Sequence, residues 1–283
     1  MHTTLISAAD LAAKLDSPDW VAVDCRHDLM NPAAGREAYA AGHIPGAVLA
    51  DMDHELSGAK HGPDGAFRGR HPLPERAALV ETLRAFGVGP ATQVIAYDAH
   101  GGMFAARLWW LLRWLGHPAV AVLDGGLAAW QAAGQPLSSE APTRPRGSIE
   151  ERAPLVATVS AQDVLDNIGG GERAVLDARA PDRFRGENET MDPVGGHIPG
   201  AKNRFFKDNL QADGRFKDAA QLRADFAPLV GEPEKAIMQC GSGVTACHNL
   251  LALEVAGMNG AALYPGSWSE WCADPARPVA TGA

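Results

Sequence analysis

The sequence predicts an α/β protein built twice: two domains related by duplication, each with a parallel sheet flanked by helices. Three observations predict it. The chain has 283 residues, which suits two cores of ordinary size better than one. Short apolar runs rich in β-branched residues alternate with longer amphipathic stretches, the pattern of strand–helix units around a parallel sheet. One set of motifs also occurs twice, in the same order.

The first copy opens with a helical pattern over Ala8–Leu15. The apolar run Val21–Val23 follows and leads into Asp24-Cys25-Arg26. After a polar stretch comes Gly42-His43-Ile44-Pro45-Gly46-Ala47. Pro74–Phe86 reads as a helix, Val94–Tyr97 as a strand that stops at Asp98, and Met103–Leu115 as a second long helix. Val120–Leu123 is a strand, followed by Asp124-Gly125-Gly126 and Trp130. The second copy repeats these anchors. Ala174-Val175-Leu176-Asp177-Ala178-Arg179 precedes Gly196-His197-Ile198-Pro199-Gly200-Ala201. A strand over Lys235–Cys240 runs into a helix from near Val244 to about Ala256. The copy closes on Leu263-Tyr264-Pro265-Gly266 and Trp271. One GHIPGA segment could be an ordinary turn. Two of them, each downstream of an apolar run and Asp-x-Arg, indicate duplication. The expected domains are residues 1–140 and 154–283. Residues 141–153, with Pro142 and Pro145 among mixed charges, have linker composition.

Composition narrows the function. Apolar residues make up 46% and charged residues 21%, ordinary values for a globular protein. The apolar stretch Phe104–Leu115 is interrupted by Arg107 and Arg113 and is too short to cross a bilayer. The N-terminus lacks the basic start and apolar run of a signal peptide, so a cytoplasmic location without membrane partners is expected. A net charge of −9 argues against a nucleic-acid partner. The four cysteines, Cys25, Cys240, Cys247 and Cys272, are too few for a disulfide framework. No CxxC or HxxxH spacing suggests a metal.

Cys240 is the residue with chemistry. It ends a strand and begins Cys240-Gly241-Ser242-Gly243-Val244-Thr245-Ala246-Cys247, a tight loop that opens a helix. Ligands of parallel sheets bind beyond such strand ends. Glycine lets successive N–H groups turn inward, and a helix N-terminus adds partial positive charge. Gly241, Gly243, Val244 and Thr245 would form an anion cradle, with hydroxyls from Ser242 and Thr245. Such surroundings bring a thiol from about 8.5 to roughly 3.5–7.5 and favour the nucleophilic thiolate. They would equally hold a persulfide anion. A buried core thiol is the commoner fate of a cysteine, but it needs no Gly-x-Gly loop. That plainer role suits Cys25, Cys247 and Cys272.

With these residues in view, the sequence resembles the rhodanese family, specifically its tandem sulfurtransferases. The resemblance spans nearly the whole chain. It rests on the Cys240–Cys247 loop, both GHIPGA segments, Asp124–Trp130 and Gly266–Trp271. It implies a catalytic C-terminal domain and a non-catalytic N-terminal one, where Asp98 stands at the cysteine position and cannot carry sulfane sulfur. It also implies a two-step transfer. Cys240 takes sulfur from a small-molecule donor as a covalent persulfide, with no other cofactor. A thiol, a thioredoxin-like protein or cyanide then accepts it. For a 3-mercaptopyruvate donor, the resemblance assigns a proton relay to Ser242, His71 and Asp53. His71 lies in the N-terminal half, so a site built from both halves is expected. Arg183 matches an arginine that binds the donor carboxylate bidentately. The second arginine usual in mercaptopyruvate enzymes is absent from Glu187–Asp192, and Arg204 is the candidate replacement. Gly241 and Ser242 are neutral where thiosulfate-selective relatives carry basic residues, which favours mercaptopyruvate over thiosulfate. A phosphatase would need an arginine six residues after the cysteine, and position 246 is Ala. A non-catalytic binding or regulatory module is the remaining alternative. The duplication supplies an internal interface, so a monomer is expected.

Overall fold

The computed structural model describes residues 1–282. The chain divides into two compact units. The first comprises residues 1–58, 74–155 and 211–216. The second comprises residues 59–73, 156–210 and 217–283.

In the first unit the order is β1 (Leu5–Ile6), α1 (Ala8–Ala12), β2 (Trp20–Asp24), α2 (Ala33–Ala41) and β3 (Val48–Leu49). Then come α3 (Arg76–Ala85), β4 (Gln93–Tyr97), α4 (Ala105–Trp114), β5 (Val120–Leu123) and α5 (Gly126–Ala132). The strands form a sheet in the order β1-β5-β4-β2-β3, and every pairing is parallel. Helix α2 falls in the stretch that the sequence marks only as polar. Its burial is slight, Gly35 alone being fully covered.

The second unit holds β6 (Ala157–Thr158), α6 (Ala161–Gly170), β7 (Ala174–Asp177), α7 (Pro181–Arg185) and β8 (Lys202–Asn203). It continues with α8 (Ala219–Val230), β9 (Ala236–Gln239), α9 (Thr245–Val255), β10 (Ala262–Leu263) and α10 (Ser267–Trp271). Its strand order, β6-β10-β9-β7-β8, is again all parallel and reproduces that of the first sheet. Strand β4 is buried at every position, as is β9, which explains their continuous apolar reading.

Each unit has its own core. In the first, Ile95 and Tyr97 of β4 pack with Leu11, Ile44 and Trp130. In the second, Ile237 of β9 packs with Val164, Ile198, Trp268 and Trp271. The two GHIPGA segments thus supply equivalent core isoleucines. The Asp-x-Arg motifs have equivalent work as well. Arg26 pairs with Asp24 and donates to the Gly42 carbonyl, and Arg179 pairs with Asp177 and donates to the Gly196 carbonyl. Among the described residues, no helix is long and apolar enough to cross a membrane.

Candidate active site

Strand β9 delivers Cys240 to its C-terminal end, and α10 clamps the loop that follows. The Cys240 N–H donates to Ser267 Oγ at 3.1 Å. The Cys240 and Gly241 carbonyls accept from Trp268 N and Ser269 N, both at 2.9 Å. Gly243 has φ +75°, and a Cβ there would overlap the Pro265 carbonyl oxygen, so only glycine closes the turn. Helix α9 then starts without a side-chain cap. Among the described residues, the N–H groups of Gly241, Ser242, Val244, Thr245 and Ala246 donate to no protein acceptor. Cys240 itself is only 2% exposed.

The sister loop of the first unit reveals what such a turn holds. Both oxygens of the buried Asp98 carboxylate are engaged by main-chain N–H groups: those of His100 (2.8 Å), Gly102 (3.0 Å), Phe104 (2.7 Å) and Ala105 (2.9 Å). Its carbonyl accepts from Leu127 N as the Cys240 carbonyl accepts from Trp268 N. A strand-to-helix turn of this kind gathers donors around one anion. The first unit supplies that anion from its own chain.

Ser242 Oγ lies 2.7 Å from His71 Nδ1, with Ser242 6% and His71 5% exposed. His71, from the N-terminal half of the sequence, thus meets Ser242 of the C-terminal half, as expected. Residues 59–73 belong to the second unit, together with Cys240 and Ser242. Close main-chain packing holds them there. A Cβ on Gly69, whose φ is +101°, would stand 2.8 Å from the Gly266 carbonyl oxygen, and the Arg70 N–H donates to Ser269 Oγ at 3.1 Å. Asp53 belongs to the first unit. Its N–H donates to Asp51 Oδ1, and its carboxylate lies 3.9 Å from His27 Nε2.

Two guanidinium groups flank Gly241. A Cβ at that position would lie 2.7 Å from Arg70 Nη2 and 3.7 Å from both terminal nitrogens of Arg183. Arg183 is anchored to Glu189 through Nε and Nη2 at 2.8–3.1 Å, and its Nη2 also reaches Asp192 at 3.3 Å. Arg70 pairs with the same Asp192 through Nη1. Arg204, in contrast, is committed elsewhere. It bonds Asn209 Oδ1, the Asp208 carbonyl and Asp225, and lies over the Phe226 ring at 4.7 Å. Packing and three acceptors fix it as a core cation, and it is not among the groups beside Gly241. The second arginine at the loop is Arg70, which residue-by-residue reading passed over. Its one signal was adjacency to His71 in Gly69-Arg70-His71-Pro72.

The model of the Rhodanese-like domain matches residues 7–133 and again residues 160–274. The chain belongs to the rhodanese-like family. Over 98% of its length this rhodanese-like protein is 48% identical to a Pseudomonas aeruginosa protein named "Probable 3-mercaptopyruvate sulfurtransferase", of which 98% is covered. It is 35% identical to the thiosulfate sulfurtransferase of Bos taurus, with 83% of this chain and 79% of the bovine one covered. Among solved structures, SseA from Escherichia coli, described as a 3-mercaptopyruvate sulfotransferase with the rhodanese fold, superposes with a TM-score of 0.81. That match has 33% identity and covers 95% of this chain and all of that one.

The remaining cysteines of this rhodanese-like chain are packed. Burial, aided by Asp24 and Asp98, pushes the Cys25 thiol well up. Cys272 is pushed up to about 11, by burial first and then by Asp192. Cys247 Sγ lies 3.3 Å from the Gly243 carbonyl inside α9. Cys25 and Cys272, whose thiols burial keeps protonated, are poor nucleophiles. Glu189 behaves differently from Asp192. Burial pushes its carboxyl up, but bonds from Arg183 and from the N–H groups of Met191 and Asp192 outweigh this and hold it low.

Proposed function

We propose that this protein is a sulfurtransferase that moves sulfane sulfur from 3-mercaptopyruvate, through a Cys240 persulfide, to a thiol or cyanide, and releases pyruvate. One observation carries the proposal. A cysteine at the mouth of an uncapped helix, a hydrogen-bonded Ser242–His71 pair and two guanidinium groups converge on one loop of the second unit.

In this scheme the Cys240 thiolate attacks the donor's sulfur. The S–S bond forms, the donor C–S bond breaks, and its electron pair passes to the carbon as the pyruvate enolate. A proton supplied through Ser242 and His71 converts the enolate to pyruvate. The persulfide's negative charge falls among the main-chain N–H groups of the loop and the N-terminus of α9. An acceptor thiolate then attacks the outer sulfur, forms a new S–S bond and returns Cys240 as the thiolate. Cyanide in the same role leaves as thiocyanate.

Donor choice follows from charge placement. The loop positions Gly241 and Ser242 are neutral, and the cations flanking them, Arg70 and Arg183, are planar forks suited to a carboxylate. The Pseudomonas and Escherichia relatives are named for mercaptopyruvate and the bovine one for thiosulfate, so thiosulfate is the competing donor. The test is kcat/KM for both donors side by side, with mass spectrometry of Cys240. The expected result is a higher kcat/KM for 3-mercaptopyruvate, a persulfide on Cys240, and loss of transfer from every donor in Cys240→Ser. Transfer surviving in Cys240→Ser would overturn the mechanism. A higher kcat/KM for thiosulfate would overturn the donor.

A further inference from the structure

An unbroken row of alternating charges runs through the second unit to the Cys240 loop. Asp177 pairs with Arg179, Arg179 with Glu189, Glu189 with Arg183, Arg183 with Asp192, and Asp192 with Arg70. The two inner carboxylates are not equivalent. Glu189 accepts two bonds from Arg183 Nη2 and one from its Nε, plus others from Arg179 and from the N–H groups of Met191 and Asp192. It has a full set of donors and serves as an anchor. Asp192 holds only the tips of Arg70 and Arg183.

Three features of Asp192 point to a ligand-like carboxylate. Its side chain is 3% exposed, and burial pushes its carboxyl up despite the opposing pull of Arg70. It is thus held in water-poor surroundings by two guanidinium tips. It stands among bends between α7 and β8, outside regular structure, so withdrawing it breaks no helix or strand. Arg70 also keeps a buried Nε with no hydrogen-bond partner, although its other nitrogens face Asp192 and Gly241. A buried guanidinium donor without an acceptor is costly and marks a position that an incoming oxygen would satisfy.

We infer that Asp192 is an internal carboxylate that occupies the Arg70–Arg183 pair until the donor's carboxylate replaces it, and that Arg70 is the second carboxylate-binding arginine of this protein. The inference rests on the donor proposed above. It makes Asp192 a specificity device. A planar monocarboxylate can take over the fork that Asp192 vacates, whereas a donor with no carboxylate gains nothing from displacing it.

The apparent affinity of a site falls by the fraction of time the site is unavailable, so an Asp192 that occupies the pair about nine-tenths of the time weakens binding about tenfold. The test compares the wild-type protein with Asp192→Asn and Asp192→Ser, each verified by thermal unfolding. The expected result is a drop of about tenfold in KM for 3-mercaptopyruvate and in the inhibition constant for pyruvate, with no such drop in KM for thiosulfate. Folded variants with unchanged or raised values would show that Asp192 merely positions the arginines, and would overturn the inference. If neither variant folds, Arg70→Gln decides. It should raise KM for 3-mercaptopyruvate about tenfold and leave KM for thiosulfate much less affected, and an unchanged mercaptopyruvate KM would overturn the role of Arg70. Failure of the donor proposal looks different: wild-type protein would then form the Cys240 persulfide from thiosulfate and not from 3-mercaptopyruvate.

Discussion

Two glycines of one loop should respond differently to the same methyl group. Gly243→Ala forces a Cβ onto a residue with φ +75°, which costs about 1–2 kcal/mol for a non-glycine residue. That Cβ also overlaps the Pro265 carbonyl oxygen, with the Pro265 carbonyl carbon at 3.1 Å and its Cα at 3.2 Å. These are main-chain atoms that no rotamer change can clear, and overpacking of this kind costs a further ~1–3 kcal/mol. The loop cannot slide away, because the Cys240 and Gly241 carbonyls are tied to Trp268 N and Ser269 N. The sum, about 2–5 kcal/mol, corresponds to a fall in Tm of very roughly 5–15 °C for a domain of this size. Any relief by backbone shift moves the sulfur relative to α9, and a misplacement of about 1 Å can cost roughly a hundredfold in rate. Gly241→Ala is the control. Its new Cβ meets only the far ends of flexible side chains, Arg70 Nη2 at 2.7 Å and the Arg183 tips at 3.7 Å. Stability should change by no more than about 0.5 kcal/mol, while displacement of Arg70 raises KM for 3-mercaptopyruvate. The assay is differential scanning fluorimetry paired with steady-state kinetics of both variants. A Gly243→Ala protein with wild-type Tm and kcat, or a Gly241→Ala protein as unstable as Gly243→Ala, would refute the picture of a rigid cradle behind a movable arginine.

Arg183→Ala should raise KM for 3-mercaptopyruvate more than Ser242→Ala does. Ser242→Ala should act on kcat by removing the hydroxyl 2.7 Å from His71; equal effects on KM would count against the carboxylate role of Arg183. Acid should destabilise the first unit through His117. Burial is the main cause holding its imidazole below the ordinary histidine value of about 6.5. The unfolded chain therefore binds the proton more readily, and this contribution to stability is present above that value and lost as pH falls below it. His117 Nε2 lies 2.8 Å from the Thr92 carbonyl, a bond that Gln can retain. Thermal melts from pH 8 to pH 5 should therefore show a smaller decline in His117→Gln than in the wild type, and parallel declines would exclude His117 as a contributor.

The duplication, both parallel sheets and the glycine-bearing loop after Cys240 were legible in the chain because each depends on local sequence. A strand buried on both faces reads as an apolar run, as β4 and β9 do. A turn that gathers amides needs glycine at its positive-φ position, as at Gly243. Asp98 was legible as the positional counterpart of Cys240, and four main-chain N–H groups surround its carboxylate at the end of β4. Helix α2 was passed over because Ala33–Ala41 holds one large apolar side chain, Tyr39, and buries only Gly35.

Tertiary structure alone decided which charges surround the Cys240 loop. Arg204 and Arg70 each stand beside an aromatic or histidine neighbour, Phe205 and His71, and that local setting does not tell their roles apart. Acceptors distant in sequence do so: Asp225 holds the first in the core, while Asp192 draws the second to Gly241. The same cause lets residues 59–73 join the second unit, since the main chain at Gly69 finds its complement at Gly266. Ion pairing and close backbone packing act between residues far apart along the chain, and local pattern encodes neither.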